Sequence, residues 1–120
     1  MDAINIESKL SHVQEYWRPH VIAGLNGQEV KVVKFRGPFV WHHHDDADEM
    51  FLVIRGEFRM EFRDHHVPVK AGECIVVPRG TEHRPVAEDE VHILLFEPRG
   101  IRNTGNVEDP VFTAIRSPRI

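Results

Sequence analysis

The stretch Trp41-His42-His43-His44-Asp45-Asp46-Ala47-Asp48-Glu49, with Gly56 seven residues beyond it, decides how this chain folds. A second stretch answers it: Gly72-Glu73-Cys74-Ile75-Val76-Val77-Pro78-Arg79-Gly80-Thr81-Glu82-His83. As patterns they read H-x-H-x4-E-x6-G and G-x5-P-x-G-x2-H. Side chains two residues apart share a face on a strand but not on a helix. His42 and His44 therefore point together only if the segment is extended, and Phe39, Val40 and Trp41 favour extension. His43 then points the opposite way. Asp45 to Asp48 is too polar for a core strand and reads as the connection that lets the chain re-enter at Glu49.

From Glu49 onward, Glu49, Phe51 and Val53 share one face. Met50, Leu52 and Ile54 share the other, which is also apolar and needs cover from a second sheet, the N-terminal helix or a partner subunit. His83 arrives from a distant strand, just after a tight turn. Val77-Pro78-Arg79-Gly80 places Pro second and Gly fourth, as a type I turn favours. Three imidazoles and a carboxylate at these spacings suggest one divalent metal inside a β-barrel. Such a donor set suits Fe, Mn, Ni, Co, Cu or Zn and does not choose among them.

Working outward, the apolar period of two continues through most of the chain. Strands are expected at Glu29 to Phe35, Phe39 to His44, Phe51 to Ile54, Phe58 to Phe62, Val67 to Val69, Ile75 to Val77 and Val91 to Phe96. Gly37-Pro38, Gly56, Gly72 and Arg99-Gly100 punctuate them. Seven or eight short strands at this spacing read as a sandwich or barrel. Ile6, Leu10 and Val13 have a helical spacing, broken by Trp17-Arg18-Pro19. Asn103 to Asn106 is loop chemistry, and Val111 to Ile115 reads as a final strand or arm.

At 120 residues, with no repeat and no Ser/Gly linker, a single domain over residues 1–120 is expected, with its barrel about 29–97. The formal charge of −4 and scattered Lys and Arg argue against a nucleic-acid surface. No apolar run approaches the ~18 residues of a membrane span, and Met1 to Asn5 has no signal-peptide character. A cytoplasmic location is the expectation. The one cysteine, Cys74, sits in an apolar run and is expected as a small buried filler. Serines fall only at Ser8, Ser11 and Ser117, outside the barrel, which leaves no Ser-His-Asp arrangement.

The two patterns together resemble the two motifs of the cupin superfamily, and the resemblance spans about Gly37 to Phe96. The remainder looks like the small single-domain cupins of the mannose-6-phosphate-isomerase-like group. The resemblance implies an all-β double-stranded β-helix, or jelly-roll barrel, here with a short N-terminal helical segment. It implies His42, His44, Glu49 and His83 as metal ligands, and a homodimer. Glycines 56, 72 and 80 match the family's turn positions. Two positions depart: four residues rather than five separate Gly37 from His42, and Ala87 stands where the second motif usually ends in Asn.

Two functions follow as expectations. One is a metal-dependent enzyme, of isomerase, lyase or dioxygenase type, acting on a small oxygen-rich or anionic molecule. The other is a non-catalytic cupin that senses or stores a small ligand with a structural metal. Arg36, Lys34 or Arg84 could orient an anion at the rim, and Glu97 or His92 could carry protons.

Overall fold

In the computed structural model, residues 1–114 and 116–120 are described. One short helix, α1 (Ile6–Leu10), precedes seven strands. These are β1 (His20–Leu25), β2 (Gln28–Pro38), β3 (Glu49–Arg55), β4 (Glu57–Phe62), β5 (His66–Lys70), β6 (Cys74–Val77) and β7 (His83–Pro98). All ladders between these strands are antiparallel, and an isolated parallel bridge joins Val21 to Arg119. The all-β jelly-roll barrel with a short N-terminal helix is what the sequence led one to expect.

The long strand β7 organises the barrel. Its first part, His83 to Val86, pairs with β4, which pairs with β5. Its second part, from His92 to Phe96, pairs with β3, which pairs with β6. Along its other edge lies β2, and β1 closes that side. One strand thus belongs to both walls. The switch falls where Glu88, Asp89 and Glu90 turn outward and are exposed. The sequence pattern starts this strand at Val91; the structure carries it back to His83, the register with β2 stepping from Phe35–Val91 to Gly37–Ala87 so that Glu88 to Glu90 bulge outward.

Strand alternation fills the interior. Phe51 and Val53 of β3, Phe58 and Met60 of β4, Val33 and Phe35 of β2, and Val91, Ile93 and Leu95 of β7 form one buried cluster. Burying a side chain of this size contributes about 1.5–3 kcal/mol. A smaller cluster of Leu10, Val13, Ile22 and Val32 lies outside the sheet, with Ile54 packed on it. That cluster supplies the cover that Ile54 needs. It also explains why five helical residues persist: α1 is capped by Asn5, whose side chain accepts from Ser8 N–H, and is held by Leu10 rather than by intrinsic propensity. Met50, Leu52, Leu94 and Phe96 on the outer face remain half-buried.

Four local expectations need correction. Phe39 to His44 is not a ladder strand; it touches the sheet through one bridge, His42 to His83. Cys74 is exposed, because β6 is an edge strand whose even-numbered residues Cys74 and Val76 face outward. The Pro-Gly turn is shifted by one residue. Thr81 N–H donates to Pro78 C=O at 3.2 Å, and Gly80 occupies the third position with φ +79°, a conformation that favours glycine. Val111 to Ala114 forms a turn and irregular chain rather than a strand, and Ile115 lies outside the described residues.

Trp17 is the unexpected element. Its φ is +64°, a region costly for a bulky side chain by about 1–3 kcal/mol. The surroundings impose it. Trp17 N–H donates to Lys34 C=O at 2.9 Å and its indole Nε1 donates to Arg36 C=O at 3.2 Å. The ring is stacked at 4.4 Å from Phe35 and 4.6 Å from Phe39. The helix itself ends at Leu10, and Trp17, six residues beyond its Ser11 cap, is driven into the barrel interior.

Candidate metal centre

The structure brings His42, His44, Glu49 and His83 together, with one ligand atom of each lying within 4.8 Å of the others. Around an ion with bonds of about 2.1 Å, donors sit roughly 3 Å apart when adjacent and just over 4 Å apart when opposite. All four residues are buried, and His83 is fully so. Alternation accounts for the selection: His43, between two inward imidazoles, turns outward to Asp45 at 2.9 Å and Glu82 at 3.3 Å.

Backbone contacts hold the ligands. His42 and His83 exchange both main-chain hydrogen bonds, at 3.0 and 2.9 Å. The Pro78 to Thr81 turn sends Gly80 N–H to His44 C=O at 2.8 Å. Asp48 accepts from Arg79 N–H at 2.9 Å, pinning the acidic connection before Glu49. The polar run thus forms a cross-braced loop.

The tautomers follow from the carbonyls. Nδ1 of His42 lies 2.9 Å from Val40 C=O, and Nδ1 of His83 lies 2.8 Å from Thr81 C=O. A carbonyl only accepts, so each Nδ1 carries the proton and each Nε2 keeps its lone pair. Burial, then the neighbouring His83 ring, lowers the His42 pKa from 6.5 to about 4, so it is neutral at pH 7, as a metal ligand must be. Burial opposes ionisation of Glu49, but the facing imidazoles of His44 at 3.4 Å and His83 at 3.8 Å outweigh it and hold the carboxyl well below its usual range. Nε2 of His44, Nε2 of His83 and Oε1 of Glu49 are buried with no satisfying hydrogen-bond partner. Orphaned donor atoms converging on one point fit a divalent cation.

Behind the four lies a charge pair that sequence reading only half found. Lys31 Nζ donates to Glu97 Oε1 at 2.9 Å, with Glu29 at 3.9 Å; the Lys31 and Glu97 side chains are 3% and 2% exposed. Burial, then the charge of Glu49, pushes the Glu97 pKa well above its usual range, and Lys31 only partly offsets this. The sequence offers Glu97 as a candidate proton carrier but does not mark Lys31. The available signal was phase, since Lys31 alternates with Val33 and Phe35, and Glu97 with Leu95 and Ile93.

Glu97, His42 and Glu49 border a cavity of about 30 Å³, room for about one water, whose other walls include Trp17, Phe35, Phe39 and Phe51. The remaining candidates lie elsewhere. His92 faces Glu90 at 2.7 Å. Lys34 donates to Val13 C=O at 2.7 Å, and Arg84 binds Glu61 at 2.7 Å beside Trp41. Arg36 is exposed. None of these four borders the cavity.

The cupin-domain family model matches residues 29–97, which is more than half of the chain and includes all four candidate ligands. The chain belongs to the cupin family. Among its relatives is the uncharacterised protein YdbB of Bacillus subtilis, 36% identical over 81 residues that make up 67% of this chain and 72% of that protein. A cupin-2 domain protein of Shewanella frigidimarina is 44% identical with a TM-score of 0.80, over 81% of this chain and 95% of that one. Protein NMB1881 of Neisseria meningitidis is 31% identical with a TM-score of 0.75, over 81% of this cupin and 99% of its own chain. The latter two matches take in nearly all of the relative and leave about a fifth of this cupin outside. No helix among the described residues is long and apolar enough to cross a membrane.

Proposed function

We propose that this cupin is a mononuclear metal enzyme that binds a small molecule through adjacent oxygens. The observation that carries the reading is the buried set of three histidines and one carboxylate with orphaned, converging donor atoms. Four protein donors on an octahedral ion leave two positions for a chelating ligand. A divalent ion bound there would supply Lewis-acid polarisation or, as iron, redox chemistry.

The chain's own residues supply the rest. Val40 and Thr81 carbonyls fix the imidazoles of His42 and His83 in the ligating tautomer. Phe35, Phe39, Phe51 and Trp17 exclude water. Glu97, held by Lys31 and bordering the same cavity, is placed to exchange a proton with the bound molecule. Isomerase and lyase chemistry both need such a group.

A second reading, a non-catalytic ligand-binding cupin, draws support from the small, mostly apolar cavity beside His42 and Glu49. Elemental analysis of untagged protein decides the first step: about one transition metal per chain is expected, and none defeats both readings. Oxygen uptake against diketones and catechols with Fe²⁺, set beside anaerobic conversion assays, then separates dioxygenase from isomerase. Metal at full occupancy without turnover of any candidate, and with a co-purified small molecule retained, selects the binder.

A further inference from the structure

The three imidazoles of the metal centre are not held alike. Carbonyls fix the rings of His42 and His83 at Nδ1, at 2.9 and 2.8 Å. Among the described residues no carbonyl meets Nδ1 of His44, and its Nε2 is buried without a hydrogen-bond partner, 3.4 Å from Glu49 Oε1.

The His44 main chain, by contrast, is clamped. Its C=O accepts from Gly80 N–H at 2.8 Å. One residue earlier, Asn106 N–H donates to His43 C=O at 3.0 Å, and Asn106 Oδ1 accepts from His43 N–H at 2.8 Å. The approach is so close that a Cβ on Gly105 would overlap the His43 carbonyl. A fixed backbone that carries an unanchored ring confines movement to the side chain, between staggered rotamers.

Space for that movement lies beside the ring. A groove of about 300 Å³ is lined by His44, Asp45, Asp46, Ile101, Arg102 and Asn106, and by none of the other three donor residues. His44 is also the most exposed of the four, at 7% against 5% for Glu49, 2% for His42 and 0% for His83. The void on which His42 and Glu49 border is about 30 Å³, a tenth of the groove, and is walled by Trp17, Phe35, Phe39 and Phe51. An ion crossing it would trade its hydration shell for aromatic rings, a costly desolvation. In the groove it meets two carboxylates and open water. Asp45 is 74% exposed along its side chain and also meets His43 Nε2 at 2.9 Å. Arg102 is the cation of this wall, and its Nε is turned to Gly105 C=O at 2.8 Å.

We propose that His44 is the moving ligand of the metal centre and that the groove beside Asp45 and Asp46 is its port. A hydrated divalent cation is collected between the carboxylates, the His44 ring swings out to pass it, and His42 and His83 keep their places. The inference rests on the metal-centre reading and adds a route and a division of labour among its ligands.

The test uses the full chain and Zn²⁺, which is redox-inert. Ile101→Trp adds bulk to the groove wall, whereas Phe112→Ala removes a ring that stands edge-on to Phe39 at 5.2 Å on the aromatic side. Zn²⁺ uptake is followed with a fluorescent indicator and release with EDTA. Ile101→Trp should slow both by about tenfold and change the equilibrium affinity by less than about threefold, because a port acts on the path and not on the end states. Phe112→Ala should match wild type. Asp46→Asn should slow uptake about threefold in low salt and leave it unchanged at 1 M salt, where charges are screened beyond ~3 Å. Without any variant, ring NMR of the metal-free wild type should show His44 more mobile than His42 and His83, by order parameter or exchange broadening. Wild-type rates in Ile101→Trp, faster exchange in Phe112→Ala, or a His44 ring as static as the other two each overturn the port. If Ile101→Trp does not fold, the ring NMR and the salt dependence of Asp46→Asn decide. About one Zn²⁺ per chain with any of the overturning results defeats the port alone, whereas no Zn²⁺ in the wild type defeats the metal centre and the port with it.

Discussion

His42 and His43 are neighbours in sequence and opposites in chemistry. Inside the barrel, His42 meets a backbone carbonyl through Nδ1, and His83 does the same. Outside, His43 lies between the carboxylates of Asp45 and Glu82. A carbonyl at Nδ1 leaves Nε2 free for a cation, whereas the two carboxylates engage both ring nitrogens of His43. The inner rings are left ready for a cation, and the outer one joins a surface ion network with Arg63 through Glu82. The same division separates the charge pairs. Lys31 and Glu97 are almost wholly buried, whereas Arg63 and Glu82 are 61% and 35% exposed along their side chains. What a polar side chain does here depends on the wall it faces more than on its type.

The largest break in this contrast should come from deleting one ring at a time. His42→Ala or His83→Ala is expected to abolish metal retention in elemental analysis, while His43→Ala keeps about one metal per chain. Retention by His42→Ala would erase the distinction between inner and outer rings. Next comes the buried pair. Lys31→Ala leaves the buried Glu97 carboxyl without its partner and should cost about 1–3 kcal/mol in urea unfolding.

Acid should act on the inner face of the metal-free protein. Unfolded His42 takes up a proton near 6.5, and the folded residue only near 4. Between those values the unfolded state binds more protons, so stability falls as the pH drops through that window. The His42 contribution is roughly 3 kcal/mol, and urea midpoints measured from pH 7 to pH 4 would reveal it. The smallest effect belongs to the outer network: Glu82→Ala, which frees Arg63 and His43 together, should shift stability by less than about 1 kcal/mol. A loss of several kcal/mol would show that the surface network is structural after all.

Much of the inner wall is legible in sequence because a period of two sorts residues without further information. Alternation alone separates His42 and His44 from His43 and puts Glu49 in phase with Phe51 and Val53. The features that sequence hides depend on distance along the chain. Cys74 lies in an apolar run, and only the edge position of β6 turns it outward. Lys31 reads as a surface lysine until Glu97, 66 residues away, is known to pair with it. Trp17 reads as a helix breaker, since nothing local says that Lys34 and Arg36 will draw it into the barrel. The chain after β7 is equally silent: Asn103 to Asn106 has the composition of any loop, and only the Asn106 hydrogen bonds to His43 show what it covers.

The strand shared by both walls has a consequence in time. β7 runs from His83 to Pro98 and pairs with β2, β3 and β4. None of those earlier strands can be joined to another through it until most of the chain has been made. Pairings that span so much sequence are slow to close, and barrels of this kind fold in milliseconds to seconds. The residue that opens β7 is His83. A nascent chain that has already made His42, His44 and Glu49 therefore lacks its fourth donor until the barrel itself can close, so a growing polypeptide cannot trap a metal in a half-built site that still holds the complete set.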